Sequence, residues 1–248
     1  MSPMDTSFVI GVLVGALQAG TSVLYAALGE VVVERSGVIN LGLEGSMLMG
    51  ASVGFAVTYQ TGNPWLGLIA AALAGALFNL VLAFLVVTRG ANQLASGLAL
   101  GFLGIGLSAV IGRPYVGQMI DGIGTMPIPV LADLPVLGPI LFQHDILIYA
   151  VIPMAFFLQW VLFHTRWGLS IRTVGEDKTV AYAAGLRTKW LQYQALFVGG
   201  LLAGLGGAHL SLAFTGVWGE QMTAGRGFIA VALVIFAAWS PLRAVLGA

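Results

Sequence analysis

The chain has no cysteine. That excludes disulfides, thiolate metal sites and a cysteine nucleophile. Charge is almost as scarce: Asp, Glu, Lys and Arg make up 8% of the 248 residues, with ten bases against ten acids. A soluble domain carries about 25% charged residues, so a deficit of this size points to a bilayer as the solvent. Net charge is zero, which leaves no basic footprint for nucleic acid. His144, His164 and His209 are scattered and make no metal-ligand pair at helical spacing. Catalytic signatures are missing as well: there is no paired-carboxylate motif, G-x-S-x-G, H-E-x-x-H or Walker Gly-rich loop. The sequence therefore implies no enzyme, no metal and no cofactor, and an energy source has to come from a partner or an ion gradient.

What the chain has in plenty is apolar sequence and glycine. Hydrophobic residues make up 58% and glycines number 35, with a mean hydropathy of +0.97. In a membrane, small residues let helices approach closely. Every backbone amide must be paired inside the bilayer, and the ten-residue alternating segments of a β-barrel are missing. The expected fold is all-α, a polytopic transmembrane helix bundle forming a single domain over residues 1–248. Apolar runs place spans at 8–28, 37–59, 64–87, 91–112, 145–163 and 190–213, and a further segment begins at 227. That gives about seven spans in lipid. "MSPMDTSF" carries no Lys or Arg ahead of the first run, so the positive region of a signal peptide is missing.

Orientation follows from the bases. The loop 164–189 holds Arg166, Arg172, Lys178, Arg187 and Lys189. With this loop in the cytoplasm, the turns near 29–36, 88–90 and 240–244 fall on the same side, leaving only Arg113 and Arg226 outside. The N-terminus and the proline-rich loop 113–144 are then external. At the other end, "GFIAVALVIFAAW" is short for a span, and "SPLR" and "AVLGA" follow it. This reads either as a truncated chain or as a short, broken segment packed inside the bundle.

"ERSGVINLGLEGSMLMGAS" (34–52) is the most unusual stretch. Gly42, Ser46, Gly50 and Gly54 recur every four residues and form a smooth stripe on which a second helix can pack. Asn40 and Glu44 form a polar row on another side of the helix, roughly 160° away. Glu34 and Arg35 mark the cytoplasmic edge. A carboxylate at a helix centre costs at least ~2.5 kcal/mol on insertion scales, so Glu44 either faces a partner or cavity, or is solvated near the cytoplasmic interface. Ser36 can cap a helix. Gly37 and the β-branched Val38–Ile39 are poor helix formers, so the segment is either a re-entrant helix start of the kind that lines transporter sites or an ordinary short turn. "GEDKTVAYAAGL" (175–186) reads as a short helix with Glu176 and Asp177 at its N-terminal end and Gly185 placed to end it. It is either a docking knob for a partner protein or an interfacial loop. Gln18, Asn79, Asn92, Gln93, Gln159, Gln194 and His209 add polarity inside the spans. They suggest a hydrated interior path, and His209 either titrates or, as the favoured reading, donates to a backbone carbonyl.

"ERSGVINLGLEGSMLMGA", "NQLASGLAL" (92–100), "VGEDKTVAYAAGL" (174–186) and "GFIAVALVIFAAWSPLRAVLGA" (227–248) closely resemble the permease subunits of bacterial ABC importers. The likeness is to the branched-chain amino acid/ribose-type superfamily, in its nucleoside and simple-sugar branch. The resemblance implies a multi-pass protein of the bacterial cytoplasmic (inner) membrane. Its implied partners are a cytoplasmic ATP-binding subunit, a second permease subunit that is a homologue or another copy, and an extracytoplasmic substrate-binding protein. It implies import of nucleosides or related small polar solutes. The family's coupling loop maps onto Gly175, Glu176, Ala183, Ala184 and Gly185, and substrate is expected to pass along Asn40, Glu44, Asn79, Asn92 and Gln93. Two departures stand out. Relatives run on with further spans, and they often carry Asn where this chain has Gly101. The competing reading is an ion-coupled secondary transporter or channel. It needs a relay of intramembrane acids, and only Glu44 falls inside a firm span.

Overall fold

A computed structural model describes the backbone of residues 3–248 and the side chains from Phe8 onward; the first two residues of the expected single domain lie outside the described residues. The described chain is helix and loop, with one isolated bridge between Met119 and Val217. The longer helices are α1 (Pro3–Glu34), α2 (Leu43–Thr61), α3 (Pro64–Ala83), α4 (Gln93–Gly112), α6 (Ile146–His164) and α9 (Thr188–Ala208). Shorter ones are α5 (Leu137–Leu141), α7 (Arg166–Glu176), α8 (Lys178–Ala183), α10 (Arg226–Phe236) and α11 (Pro241–Gly247). Wider π-type turns, Phe84–Thr88 and His209–Phe214, extend α3 and α9.

Five of the described helical segments are long and apolar enough to cross a membrane: Phe8–Glu34, Pro64–Thr88, Gln93–Tyr115, Ile146–His164 and Thr188–Phe214. The expected spans at 64–87, 91–112, 145–163 and 190–213 coincide with four of them. The first span is longer than expected. α1 continues through Glu30 to Glu34, because Ala26–Val33 holds no proline, its one glycine, Gly29, packs against Gly199 on α9, and the Glu30 side chain has an internal partner. The turn expected at 29–36 therefore narrows, and Glu30, wholly buried, is a second carboxylate inside a span. α2 is not among the five. It is the central helix, buried along most of its length, so protein rather than lipid solvates it and it needs less hydrophobicity. The segment after 227 forms α10, only 11 residues long, then breaks at Ala237–Ser240 before α11.

The small residues do what their spacing promises, but toward more than one neighbour. Gly42 lies against the Gly97 carbonyl on α4, Gly54 against Ala71 on α3, and Gly50 against Gly204 on α9. On the facing side of α9, a Cβ at Gly200 would stand 2.5 Å from the Gly75 carbonyl oxygen and 2.7 Å from Ala76 Cα. Gly200→Val forces α3 and α9 apart at this crossing. It is expected to cost about 1–3 kcal/mol by overpacking. Gly106→Ala, where nothing lies within 4 Å, is expected to be nearly neutral. Thermal unfolding in detergent compares the two.

The proline-rich loop 113–144 is pinned across the end of α9. Ile120 N donates to Gly216 O at 3.1 Å and Ile123 N to Leu212 O at 2.7 Å.

Candidate functional site

The segment after α1 does not continue as helix. The Ser36 hydroxyl donates to the Val33 carbonyl at 2.7 Å, so Ser36 closes α1 rather than opening α2. Gly37 adopts φ +79°, and helical structure resumes at Leu43. This is the broken, re-entrant start.

Asn40 is wholly buried, with its backbone N–H and both polar atoms of its side chain engaged. Its amide N–H donates to Glu30 Oε1 at 2.8 Å, its Nδ2 to Asn79 Oδ1 at 3.1 Å, and its Oδ1 accepts from Gly42 N at 2.9 Å. Asn79 Oδ1 also accepts from the Ser46 hydroxyl at 2.6 Å, and its Nδ2 donates to Leu196 O at 3.2 Å. One polar cluster thus ties α1, the re-entrant segment, α2, α3 and α9 together in a low-dielectric interior, where an unpaired amide would be costly.

Glu44 is anchored elsewhere. Its Oε1 accepts from the Thr223 hydroxyl at 2.5 Å and from Gly225 N at 2.9 Å, and its Oε2 accepts from Gly227 N at 2.6 Å. Those amides are the free donors at the N-terminus of α10, where the helix dipole favours an anion. Depth follows from packing. Gly45 lies against Leu100 and Gly101, the middle of α4, roughly 12 Å from its first residue at 1.5 Å per residue. Glu44 therefore faces a protein partner level with the middle of α4 rather than with its first turn, and α10 begins at that same level. Arg226, read from the sequence as an outside base, is the first residue of α10 and lies at that level too.

Of the other expected path residues, half-buried Gln93 accepts from Ile39 N through Oε1 at 3.2 Å. Asn92 is exposed and caps α4, its Oδ1 accepting from Ala95 N at 3.0 Å. It stands apart from the Asn40 cluster. Gln194 and Gln159 bridge elements, to Trp167 Nε1 and the Ser240 hydroxyl. His209 does not meet the carbonyl expected of it: its Nε2 faces Asp145 Oδ2 at 3.6 Å.

The loop 164–189 is two helices. α7 is an amphipathic helix capped by the Thr165 hydroxyl, which accepts from Gly168 N at 3.1 Å. Asp177 caps α8, accepting from Thr179 N at 2.7 Å and Val180 N at 3.1 Å. Those amides of Val180 and Thr179 hold its carboxyl below the usual range. Gly185, at φ +82°, ends the knob. Gly175, Glu176, Ala183, Ala184 and Gly185 are all exposed. So are Val180 and Tyr182, at 60% and 76%, an apolar tip whose only signal in the sequence was two large side chains in a polar loop.

The base of this knob meets the re-entrant segment. Gly175 lies against the Arg35 carbonyl, and a Cβ there would come within 3.1 Å of Gly37 N. Gln192 Nε2 donates to Ser36 O at 2.9 Å. Arg35 Nε donates to Trp239 O at 3.1 Å, while Trp239 Nε1 donates to Glu34. Arg35 and Arg172 both stack on Phe163, at 5.4 and 4.9 Å from its centroid. So the ends of α1, α7 and α10 converge, and α10 runs from this junction to Glu44. Sequence reasoning missed Thr223, Gly225, Gly227 and Trp239, because each acts through a partner far away in the chain, and Glu30, because its partner is the backbone amide of a returning segment.

Residues 11–248 match the family described as branched-chain amino acid transport system / permease component. The chain belongs to that family. It is a multi-pass membrane permease. Among curated relatives, it is 43% identical over 249 residues to the putative glucose ABC transporter permease protein TsgC13 of Haloferax volcanii, covering 98% of this chain and 75% of the relative. The guanosine ABC transporter permease protein NupQ of Bacillus subtilis is 35% identical over 98% of this chain and 80% of its own length. The nucleoside ABC transporter permease protein NupC of Lactococcus lactis is 33% identical over 91% and 75%. No solved structure matches the chain. ABC transporter permeases act with ATP-binding and substrate-binding partners as a class.

Proposed function

We propose that this chain is the membrane subunit of an ATP-driven importer for nucleosides or related small polar solutes such as simple sugars. The observation that carries the substrate class is the agreement of three relatives, named for glucose, guanosine and nucleosides, over nearly the whole chain. ATP hydrolysis belongs to a cytoplasmic partner, delivery to an extracytoplasmic binding protein, and the path forms against a second permease, homologous or identical. The basic face is cytoplasmic and the N-terminus external, in the inner membrane. The chain works as one domain over residues 1–248, with 113–144 outside and 164–189 as the coupling element.

In this reading the ATP-binding subunit grips the knob at Glu176, Ala183, Ala184 and Gly185. Its closure moves α7. Gly175 passes that movement to the Arg35–Gly37 turn, and Trp239 passes it to α10. Asn40, Glu44 and Asn79 set the wall of the path at and below mid-membrane. Asn92 and Gln93 stand at its cytoplasmic mouth. The support is the packing of Gly175 on the turn and the shared anchoring of α10 at both ends.

The test is reconstitution with the ATP-binding subunit, second permease and binding protein in liposomes. Guanosine and glucose are each expected to be taken up only with ATP inside, and the loaded binding protein is expected to stimulate hydrolysis. Uptake driven by an ion gradient without ATP would overturn the proposal.

A further inference from the structure

The mechanism so far leaves Arg226 unused. It is the first residue of α10, half-buried, at the level of Glu44. A cation at that depth is costly unless it meets a partner or water, and no carboxylate pairs with it among the described residues. Its Nη1 donates to Met222 O at 3.3 Å and Thr223 O at 3.1 Å; Nε and Nη2 have no hydrogen-bond partner among the described residues. Arg226 is the one charged residue lining an open, otherwise apolar groove of about 610 Å³ between α1, α10 and α11, which also borders Ala16, Gly20, Ile229, Leu233 and Ala248. The approach to α10 is strained as well: Gln221 and Ala224, neither a glycine, sit at φ +54° and +47°. Non-glycine residues persist in that region only where the surrounding structure over-determines them. The carboxylate of Glu44 fixes the same turn from behind.

We propose that Arg226 is a mid-membrane recognition residue that reads the transported solute as it passes the N-terminus of α10. Its free guanidinium edge is a planar donor fork. It suits a neutral, acceptor-rich solute, bonding the vicinal hydroxyls of a sugar or ribose, or the adjacent O6 and N7 acceptors of a purine. Glu44 is the positioning residue for this turn. This inference rests on the importer reading above and goes beyond it by assigning the recognising side chain.

The experiment uses the complete reconstituted transporter with guanosine and glucose as probes. Arg226→Lys keeps the charge and removes the fork. It and Arg226→Ala are expected to lower solute molecules moved per ATP at least tenfold, while subunit assembly and binding-protein-stimulated ATPase stay within twofold of the parent. Unchanged transport per ATP overturns the proposal. So does loss of assembly together with ATPase, because a purely structural arginine would behave that way. A second arm does not depend on the solute being identified. The chain has no cysteine, so Arg226→Cys gives a single thiol. A charged, membrane-impermeant thiol reagent added to vesicles is expected to modify it, and failure to modify it overturns the proposal. If the parent takes up neither probe, the substrate reading fails while the thiol arm still decides the position of Arg226.

Discussion

Glu44→Ala is expected to abolish uptake and to lower the unfolding temperature of the detergent-solubilised chain. The carboxylate accepts three hydrogen bonds, from the Thr223 hydroxyl and from the amides of Gly225 and Gly227. Alanine leaves all three donors buried and unpaired. Each orphaned donor costs about 1–3 kcal/mol, and losing the anion also removes its attraction to the α10 dipole, about 0.3–1 kcal/mol or more in a buried setting. Against a typical stability of about 5–15 kcal/mol, such a loss is severe locally even if the long helices survive. Glu44→Gln separates charge from hydrogen bonding. Its amide oxygen can still serve Thr223 and Gly225, but its NH2 then confronts the Gly227 amide, donor against donor. An intermediate loss is expected for Gln and a complete one for Ala. Parent-like uptake in the Ala variant would sink the role given to Glu44.

The membrane helices were legible because a run of about 20 apolar residues says one thing in a bilayer. The re-entrant start was half-legible. Gly37, Val38 and Ile39 signalled a break, but nothing in the order of residues says how deep the chain then goes. Glu44 shows the limit most clearly. Its spacing from Ser46 put it on a different side from the small-residue stripe, but its cost in lipid left two readings open, a partner or cavity or solvation near the interface, and only the contacts at α10 decide between them. The partner is more than 170 residues later, in three groups at alternate positions that carry no side-chain signature beyond a threonine and two glycines. Glu30 was hidden for a related reason. Next to Glu34 and Arg35 it reads as part of a polar turn, and only the fold reveals that a returning Asn40 amide supports it inside the helix. α2 reverses the usual inference. Its lower hydrophobicity is what central placement among other helices permits, so hydropathy alone underrates the helix that the rest are built around. The knob was the most readable element, since helix capping by Asp177 and termination by Gly185 are local events.

The strongest test of coupling is Gly175→Val. Gly175 sits in the last turn of α7 with its Cα face on the Arg35 carbonyl and on Gly37. A branched side chain there has no flexible neighbour to displace, only backbone on both sides, so α7 must lift away from the turn that opens the re-entrant segment. The site is exposed and far from the α3–α9 crossing, and therefore the bundle itself is expected to remain folded. Expected values are at least a tenfold fall in uptake, with ATPase of the assembled complex kept within about threefold and no longer answering to the loaded binding protein. Glu176→Arg attacks the same joint by charge. It adds a third cation to a cavity of about 200 Å³ already bordered by Arg35 and Arg172, and like charges at such range repel. Added salt is expected to relieve part of its defect, because charge at an exposed site is screened, whereas salt should do nothing for the steric block at Gly175. Lys178→Ala, at an exposed position that does not border this cavity, serves as the control and is expected to couple normally. If Gly175→Val transports at parental rates, force does not travel through this joint, and α10 must take its signal from the second permease instead.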